Sequence, residues 1–484
     1  MSYGCYLELI NRAFNKIEIT VEPTDKKEWG KPAMNKTTYN LSDNDYYRLD
    51  EYEMTPKGIH VLTAHGHFRV TISIDGEKEQ LQQDFDLEDG RHSGAVYRSF
   101  IYPSSSSGMD YAVLVSKNAK KESGFVNDKG CYKFEFFRLS ARRFGVMNDY
   151  HFGDTNRKSQ EAVVDKLINL QKRPEFIVMP GDLLDCPTAP AGDGNPLHFP
   201  AVRDIWGNLI DGLEEQSIPV ADGLGNHDLW TGFGGENVKG DIQQRNKKRI
   251  AEGSLFLPYG ISTADNAANY GNKGYHYTWF FPLKKNGKKV LVAFFMLNNL
   301  PGNANRTDPG DTGHGHDEGT YAFGALDYLK ASMRTMACMP DYDYKVGIPM
   351  FHINYGCDVN GDTHGNPERW WTYADKKALK DVLDKAPIKI VTAFFGHEHV
   401  RSIEKQTLYI GDRKDPANKT EYSGYRCACS IDKPRLNIID LELVEENGHC
   451  KIKITPRFIE VAKLTSTDDC LPMIKEELQS CIEL

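Results

Sequence analysis

The stretch that decides the fold is Phe144-Gly145-Val146-Met147, which runs directly into Asn148-Asp149-Tyr150-His151. A short, fully apolar run reads as a strand buried on both faces. Polar residues at its carboxyl end then stand where open α/β sheets place their ligand crevices. The same arrangement recurs downstream. FIVM (176–179) leads through Pro180 into Gly181-Asp182-Leu183-Leu184-Asp185. Ile218-Pro219-Val220 leads to Gly225-Asn226-His227-Asp228. VGIPMF (346–351) ends on His352, and IKIVTAFF (388–395) ends on Gly396-His397-Glu398-His399. One Asp or His at a strand end is an ordinary cap or turn residue; a succession of them is a constellation.

The types are imidazole, carboxylate and amide oxygen, the donors that suit borderline divalent cations. In order and spacing the motifs D-x-H, G-D-x-x-D, G-N-H-D, a lone His and G-H-x-H resemble the signature of the calcineurin-like metallophosphoesterase superfamily. The resemblance covers roughly residues 143–460. It implies that Asp149, His151 and His399 hold one metal ion, that Asn226, His352 and His397 hold a second, and that Asp182 bridges both. It further implies two divalent ions (manganese, iron, zinc or magnesium) and a metal-bridging hydroxide that attacks a phosphate mono- or diester. His227 would be the general acid and Asp185 the carboxylate that orients it. Departures narrow the subgroup. Purple acid phosphatases carry Tyr where this chain has Asp185. Ser/Thr protein phosphatases carry Arg where it has Cys186 and Leu224, so a small or moderate-size substrate is favoured over a phosphoprotein. Asn148 replaces the usual Gly of the first motif.

Working outward, residues 1–140 differ. Ile17, Ile19 and Val21 alternate with polar residues, as do Phe68, Val70, Ile72 and Ile74, then Tyr111, Val113 and Val115, then Tyr132, Phe134 and Phe136. Period two marks half-buried strands, so a β-sandwich is expected at 1–140, with a metallophosphoesterase domain at 141–484. From 143 onward, buried strands alternate with amphipathic stretches (Val163, Val164, Leu167, Leu170; Leu326, Leu329, Met333, Met336), which predicts an α/β domain. With the resemblance, the expected architecture is two stacked mixed sheets flanked by helices. Strands near 436–444 and 451–458 would complete its second sheet, to which GYHYTWF (274–280) and VLVAFFML (290–297) also belong. A terminal helix is expected from about Cys470. By fold-level analogy the N-terminal sandwich would recognise glycan, lipid or protein.

Composition limits the partners. The 484 residues carry a net charge of −9, with no basic field of the kind a nucleic-acid groove needs. No apolar run approaches the ~20 residues of a membrane helix. The N-terminus lacks the order of a signal peptide, and the ten cysteines contain no CxxC pair, which together favour the cytoplasm. Four N-x-S/T sequons, from Asn35, Asn40, Asn305 and Asn418, point mildly the other way, and export without a leader stays open. His65 and His67 imitate the last motif, but nothing upstream supplies the other motifs and they lead into an alternating strand, so they read as surface or turn histidines. His198, His314, His316 and His364 read as loop histidines, and His276 as a packed one. The competing class, a binding protein on a phosphoesterase fold, is disfavoured because no ligand of the set is missing.

Overall fold

The computed structural model describes residues 4–11, 16–30, 33–42, 46–48, 52–53, 65–74, 77–88, 97–101, 110–120, 129–151, 167, 174–183, 218, 220–223, 225, 261–262, 276–297, 325–355, 373–429, 435–460 and 478–484. The chain divides into two compact units, Met1–Arg142 with Lys284–Gly287, and Arg143–Leu283 with Lys288–Leu484.

The first unit is built of β1 (Gly4–Asn11), β2 (Lys16–Pro23), β3 (Thr37–Ser42), β4 (Tyr46–Arg48), β5 (Tyr52–Glu53), β6 (His65–Ile74), β7 (Glu77–Glu88), β8 (Tyr97–Ile101), β9 (Tyr111–Lys120) and β10 (Lys129–Arg138). One sheet runs β4-β1-β10-β9-β8, with β5 also on β1, and the other runs β3-β2-β6-β7. Alternation explains the shared core: Leu7, Leu9, Ile17, Ile19, Val21, Phe68, Val70, Val113 and Phe134 are buried in one cluster. Phe68 and Phe134 meet edge to face across it at 6.2 Å.

Period two misleads on the other face of the first sheet. Glu8, Lys133 and Glu135 occupy its polar positions and would be expected in water, yet they are 7%, 3% and 1% exposed. Glu8 and Lys133 are direct partners in the parallel β1–β10 register and form an ion pair at 3.2 Å. Burying one charge without the other costs several kcal/mol, roughly 3–5, so the pair stays together.

The second unit contains β11 (Ala141–Val146), β12 (Ile177–Met179), β13 (Val220–Asp222), β14 (Ile261–Ser262), β15 (Tyr277–Lys285), β16 (Lys288–Met296), α1 (Ala325–Ala337), β17 (Tyr344–Ile353), α2 (Tyr373–Asp384), β18 (Lys389–Ile390), β19 (Phe394–Gly396), β20 (Glu404–Tyr409), β21 (Lys419–Arg426), β22 (Arg435–Glu446), β23 (His449–Glu460) and β24 (Ser480–Glu483). Its sheets have the orders β13-β12-β11-β22-β23-β24 and β14-β15-β16-β17-β19-β21-β20, with β18 on β17. Strands β11, β12 and β13 are parallel, as are β16, β17, β19 and β21.

The apolar runs are buried on both faces. Phe294 of β16 stacks on Trp279 at 5.1 Å and meets Phe144 of β11 edge to face at 5.3 Å, while Phe176 stacks on Phe144 at 5.2 Å. The alternate residues Leu291, Ala293 and Phe295 pack in the cluster that holds Leu326, Leu329, Met333 and Met336 of α1.

The expected fold class does not hold. Among the described residues the structure is mostly β, 58% strand against 14% helix, and not a sandwich flanked by helices. Among the described residues α1 and α2 are the two α-helices with described bounds, and Leu167 is helical as well. Connectivity contributes, through two hairpins among the described residues, while much of the chain that links the parallel strands lies outside those residues. Parallel strands need a crossover, usually helical, but antiparallel neighbours close through a tight turn. Two Asn-Gly pairs with positive φ make such turns, Asn286-Gly287 between β15 and β16 and Asn447-Gly448 between β22 and β23. β22 and β23 also extend the sheet of β11 rather than that of β16, where they were expected. Most of the terminal helix expected from about Cys470 lies outside the described residues, and at its far end Ser480–Glu483 is a strand paired with β23. The 388–395 run is broken into β18 and β19. The helix expected around 163–170 lies outside the described residues, apart from buried Leu167. No described helix is long and apolar enough to cross a membrane.

Candidate metal centre

Four strand ends converge. The loop after β11 carries Asp149 and His151, and the loop after β12 carries Asp182. His352 sits near the end of β17, and the loop after β19 carries His397 and His399. Ligand atoms of Asp149, His151, Asp182 and His399 lie within 4.8 Å of one another, and so do those of Asp182, His352 and His397. Asp182 belongs to both groups. Its Oδ2 is 3.1 Å from His352 Nε2 and 3.6 Å from His151 Nε2. The histidines pair across the loops, His151 Nε2 with His399 Nε2 at 3.0 Å and His397 Nδ1 with His352 Nε2 at 3.2 Å.

These spacings pass a simple test of fit. Two nitrogens each ~2.1 Å from one ion, at octahedral to tetrahedral angles, stand about 3.0–3.4 Å apart. A hydrogen bond between two neutral rings has a similar length, so the distance alone does not separate the two. The carboxylates do. Asp149 and Asp182 are 0% and 1% exposed, and taking a carboxylate that far from water costs several kcal/mol unless a cation meets it. Four imidazoles surround these two acids. Burial holds the His399 pKa below its usual value, against the pull of Asp149, which favours the neutral ring that a metal needs. His399 is also the exposed member, at 37% of its side chain, so the centre meets solvent on that side.

The backbone is shaped to the same end. Among the described residues, eight non-glycine residues have positive φ, and five of them are Asp149, His151, Asp182, His397 and His399. Asp and His tolerate this region better than most, but each instance still costs on the order of 1–3 kcal/mol and clusters at functional sites. Two glycines allow the close approach. A Cβ on Gly225 would lie 2.2 Å from both the backbone nitrogen and Oδ1 of Asp182, and one on Gly396 would lie 2.7 Å from Asp149 Oδ2. Gly225→Ala is therefore expected to displace Asp182. The cost should be about 1–3 kcal/mol of stability from overpacking, with loss of metal binding, read by chemical denaturation and metal titration of the same sample.

Hydrogen bonds fix Asp149. Asn148 Nδ2 donates to its Oδ2 and to the carbonyl of Cys427, and the His397 backbone N–H donates to Oδ1 at 2.8 Å. Asn148 thus helps to fix the Asp149 carboxylate.

No family model matches the chain, and no curated protein sequence matches it. Among solved structures it is similar to GAP50, the anchor in the inner membrane complex of Plasmodium, at 15% identity and a TM-score of 0.37, covering 70% of this chain and 90% of that one. A likeness that distant bears on neither the site nor its chemistry.

Of the sequence-derived ligand set, the structure brings together Asp149, His151, Asp182, His352, His397 and His399. Asn226, His227 and Asp185 lie outside the described residues, as do His198, His314, His316 and His364. The imitation motif is accounted for differently: His67 Nδ1 bonds Glu28 Oε2 at 2.8 Å in the first unit. His276 is buried against the ring of Tyr328, 5.4 Å between centroids. Sequence reading missed Asn148, Gly225 and Gly396 as supports. The two glycines precede Asn226 and His397 directly, which was the available signal.

Proposed function

We propose that this protein hydrolyses phosphate mono- or diesters of small or moderate size with two divalent metal ions, as the motif resemblance to calcineurin-like metallophosphoesterases suggests. The observation that carries the reading is the shared position of Asp182, one buried carboxylate common to two groups of candidate ligands. Asp149, His151 and His399 would hold one ion, His352 and His397 with Asn226 the other, and Asp182 both. Manganese, iron, zinc or magnesium fits this N/O set. When bound, such a pair supplies a nucleophilic water at neutral pH and a clamp on the phosphate oxygens.

The chain's own residues do the rest. Asp182 places negative charge between the two groups and sets their separation. Buried Asp149, His151 and His352 exclude bulk water from one side, and half-exposed His399 leaves the other open to an ester. His227, held by Asp185, would donate a proton to the departing ester oxygen. We further place the protein in a reducing compartment, the cytoplasm. The support is that Cys338, Cys427, Cys429, Cys450 and Cys481 are free thiols. A glycan, lipid or protein ligand for the first unit remains a proposal by analogy.

The test is a substrate panel of aryl monoesters, aryl diesters and cyclic nucleotides, run with each metal in turn. Turnover that depends on added metal is the expected result. Protein that turns over no member of the panel with any metal would refute the reading.

A further inference from the structure

The side chain between the two histidines of the last motif is tied into a network of its own. Glu398 Oε2 accepts from Asn354 Nδ2 at 3.0 Å and from one terminal nitrogen of Arg426. The other terminal nitrogen of Arg426 bonds Glu404. Asn354 lies two residues beyond His352, and its Nδ2 also donates to the carbonyl of Gly396 at 3.0 Å. Arg426 pairs with Phe395 in the parallel β19–β21 register and with Glu404 in the β20–β21 hairpin. One carboxylate thus joins the strand that carries His352, the loop that carries His397 and His399, and the strand beside that loop.

The location suggests a purpose. His397 and His399 both sit at positive φ, 79° and 46°, with Glu398 between them. Such a loop keeps its shape only where its surroundings over-determine it. The two histidines also belong to different ligand groups, so a small rotation of this loop would disturb both. Charge-assisted hydrogen bonds from one planar guanidinium to two carboxylates are stronger than neutral ones and fix the geometry of all three groups. The Arg426 side chain is 16% exposed and that of Glu398 is 28% exposed, so screening by water is partial.

We infer that Glu398 and Arg426, with Asn354, are positioning residues that hold His352, His397 and His399 in the geometry that binds metal. The inference rests on the metal-centre reading above. Removing an outer hydrogen-bonding partner of a metal ligand typically weakens binding about 10- to 100-fold.

The test uses metal-free full-length protein titrated with Mn2+ by calorimetry, with the unfolding midpoint recorded in chelator and in excess Mn2+. Glu398→Ala should weaken Mn2+ binding about 10- to 100-fold and shrink the metal-induced rise in midpoint. Glu398→Gln, which keeps an acceptor oxygen for Asn354, should recover most of both. If Glu398→Ala does not fold, Arg426→Gln makes the same comparison. Variants that bind Mn2+ as wild type does, whether or not their midpoint in chelator falls, would make the network structural only and overturn the inference. Wild-type protein that binds no Mn2+ would overturn the metal centre and this inference together.

Discussion

Asp182→Asn is expected to lower kcat/KM by at least about 10^3-fold, well past the ~10–100-fold cost of losing an outer partner of a ligand. The substitution keeps size and shape and removes one negative charge. In the proposed centre that charge is what two neighbouring cations would share, and Asp182 is the residue common to both groups of candidate ligands. Stability should move in opposite directions with and without metal. In chelator the wild type buries a carboxylate that is 1% exposed, at a desolvation cost of several kcal/mol, so the asparagine variant should unfold at the same or a higher temperature. With metal in excess the order should reverse, because binding at ~100 times Kd adds about 2.7 kcal/mol to the native state and the variant forgoes much of it. Thermal unfolding in the two conditions, beside steady-state kinetics, reads both effects. Equal rates in the two proteins would remove Asp182 from the centre.

The second large effect is expected from His227→Ala. A positioned general acid contributes about 10²–10⁴-fold, and here the proton would go to the departing oxygen. The loss should therefore be greatest with poor leaving groups such as alkyl phosphates and least with activated aryl esters, which depart without a proton. Metal stoichiometry should not change, because the residue is proposed to touch the leaving group and not the ions. A loss that is equal across leaving groups, or that comes with loss of metal, would assign His227 a different role.

The site was far more legible than the fold, for a physical reason. Few side chains bind divalent cations, and a buried strand that ends on Asp149 or His352 announces both its position and its donor. Five of the other expected ligands accordingly gather with Asp182. Architecture is not written so locally. The apolar runs at 144–147 and 290–297 show that strands are buried on both faces but not what covers them or how they connect. α1 does pack with Leu291, Ala293 and Phe295 of the second run, while Asn286-Gly287 and Asn447-Gly448 close hairpins that need no crossover helix. Both turns carry the strongest short-range hairpin signal.

Other features were out of reach because they depend on distant residues. Lys133 occupies a polar position in its strand and is paired only because β1, more than a hundred residues earlier in the chain, lies beside it in parallel register. Glu398 reads as the variable residue of its motif until Asn354 and Arg426 are brought to it. Gly225 was quoted as part of a motif, but its reason, an approach to Asp182 too close for any Cβ, exists only in three dimensions.

The most direct test of the central claim is the metal stoichiometry of wild type and Asp182→Asn, measured by calorimetric titration of metal-free protein and confirmed by elemental analysis. A shared carboxylate predicts two equivalents per chain for the wild type and at most one, bound more weakly, for the variant. A wild type that saturates at one equivalent or binds none, or a variant that still takes up two with unchanged affinity, would contradict the account.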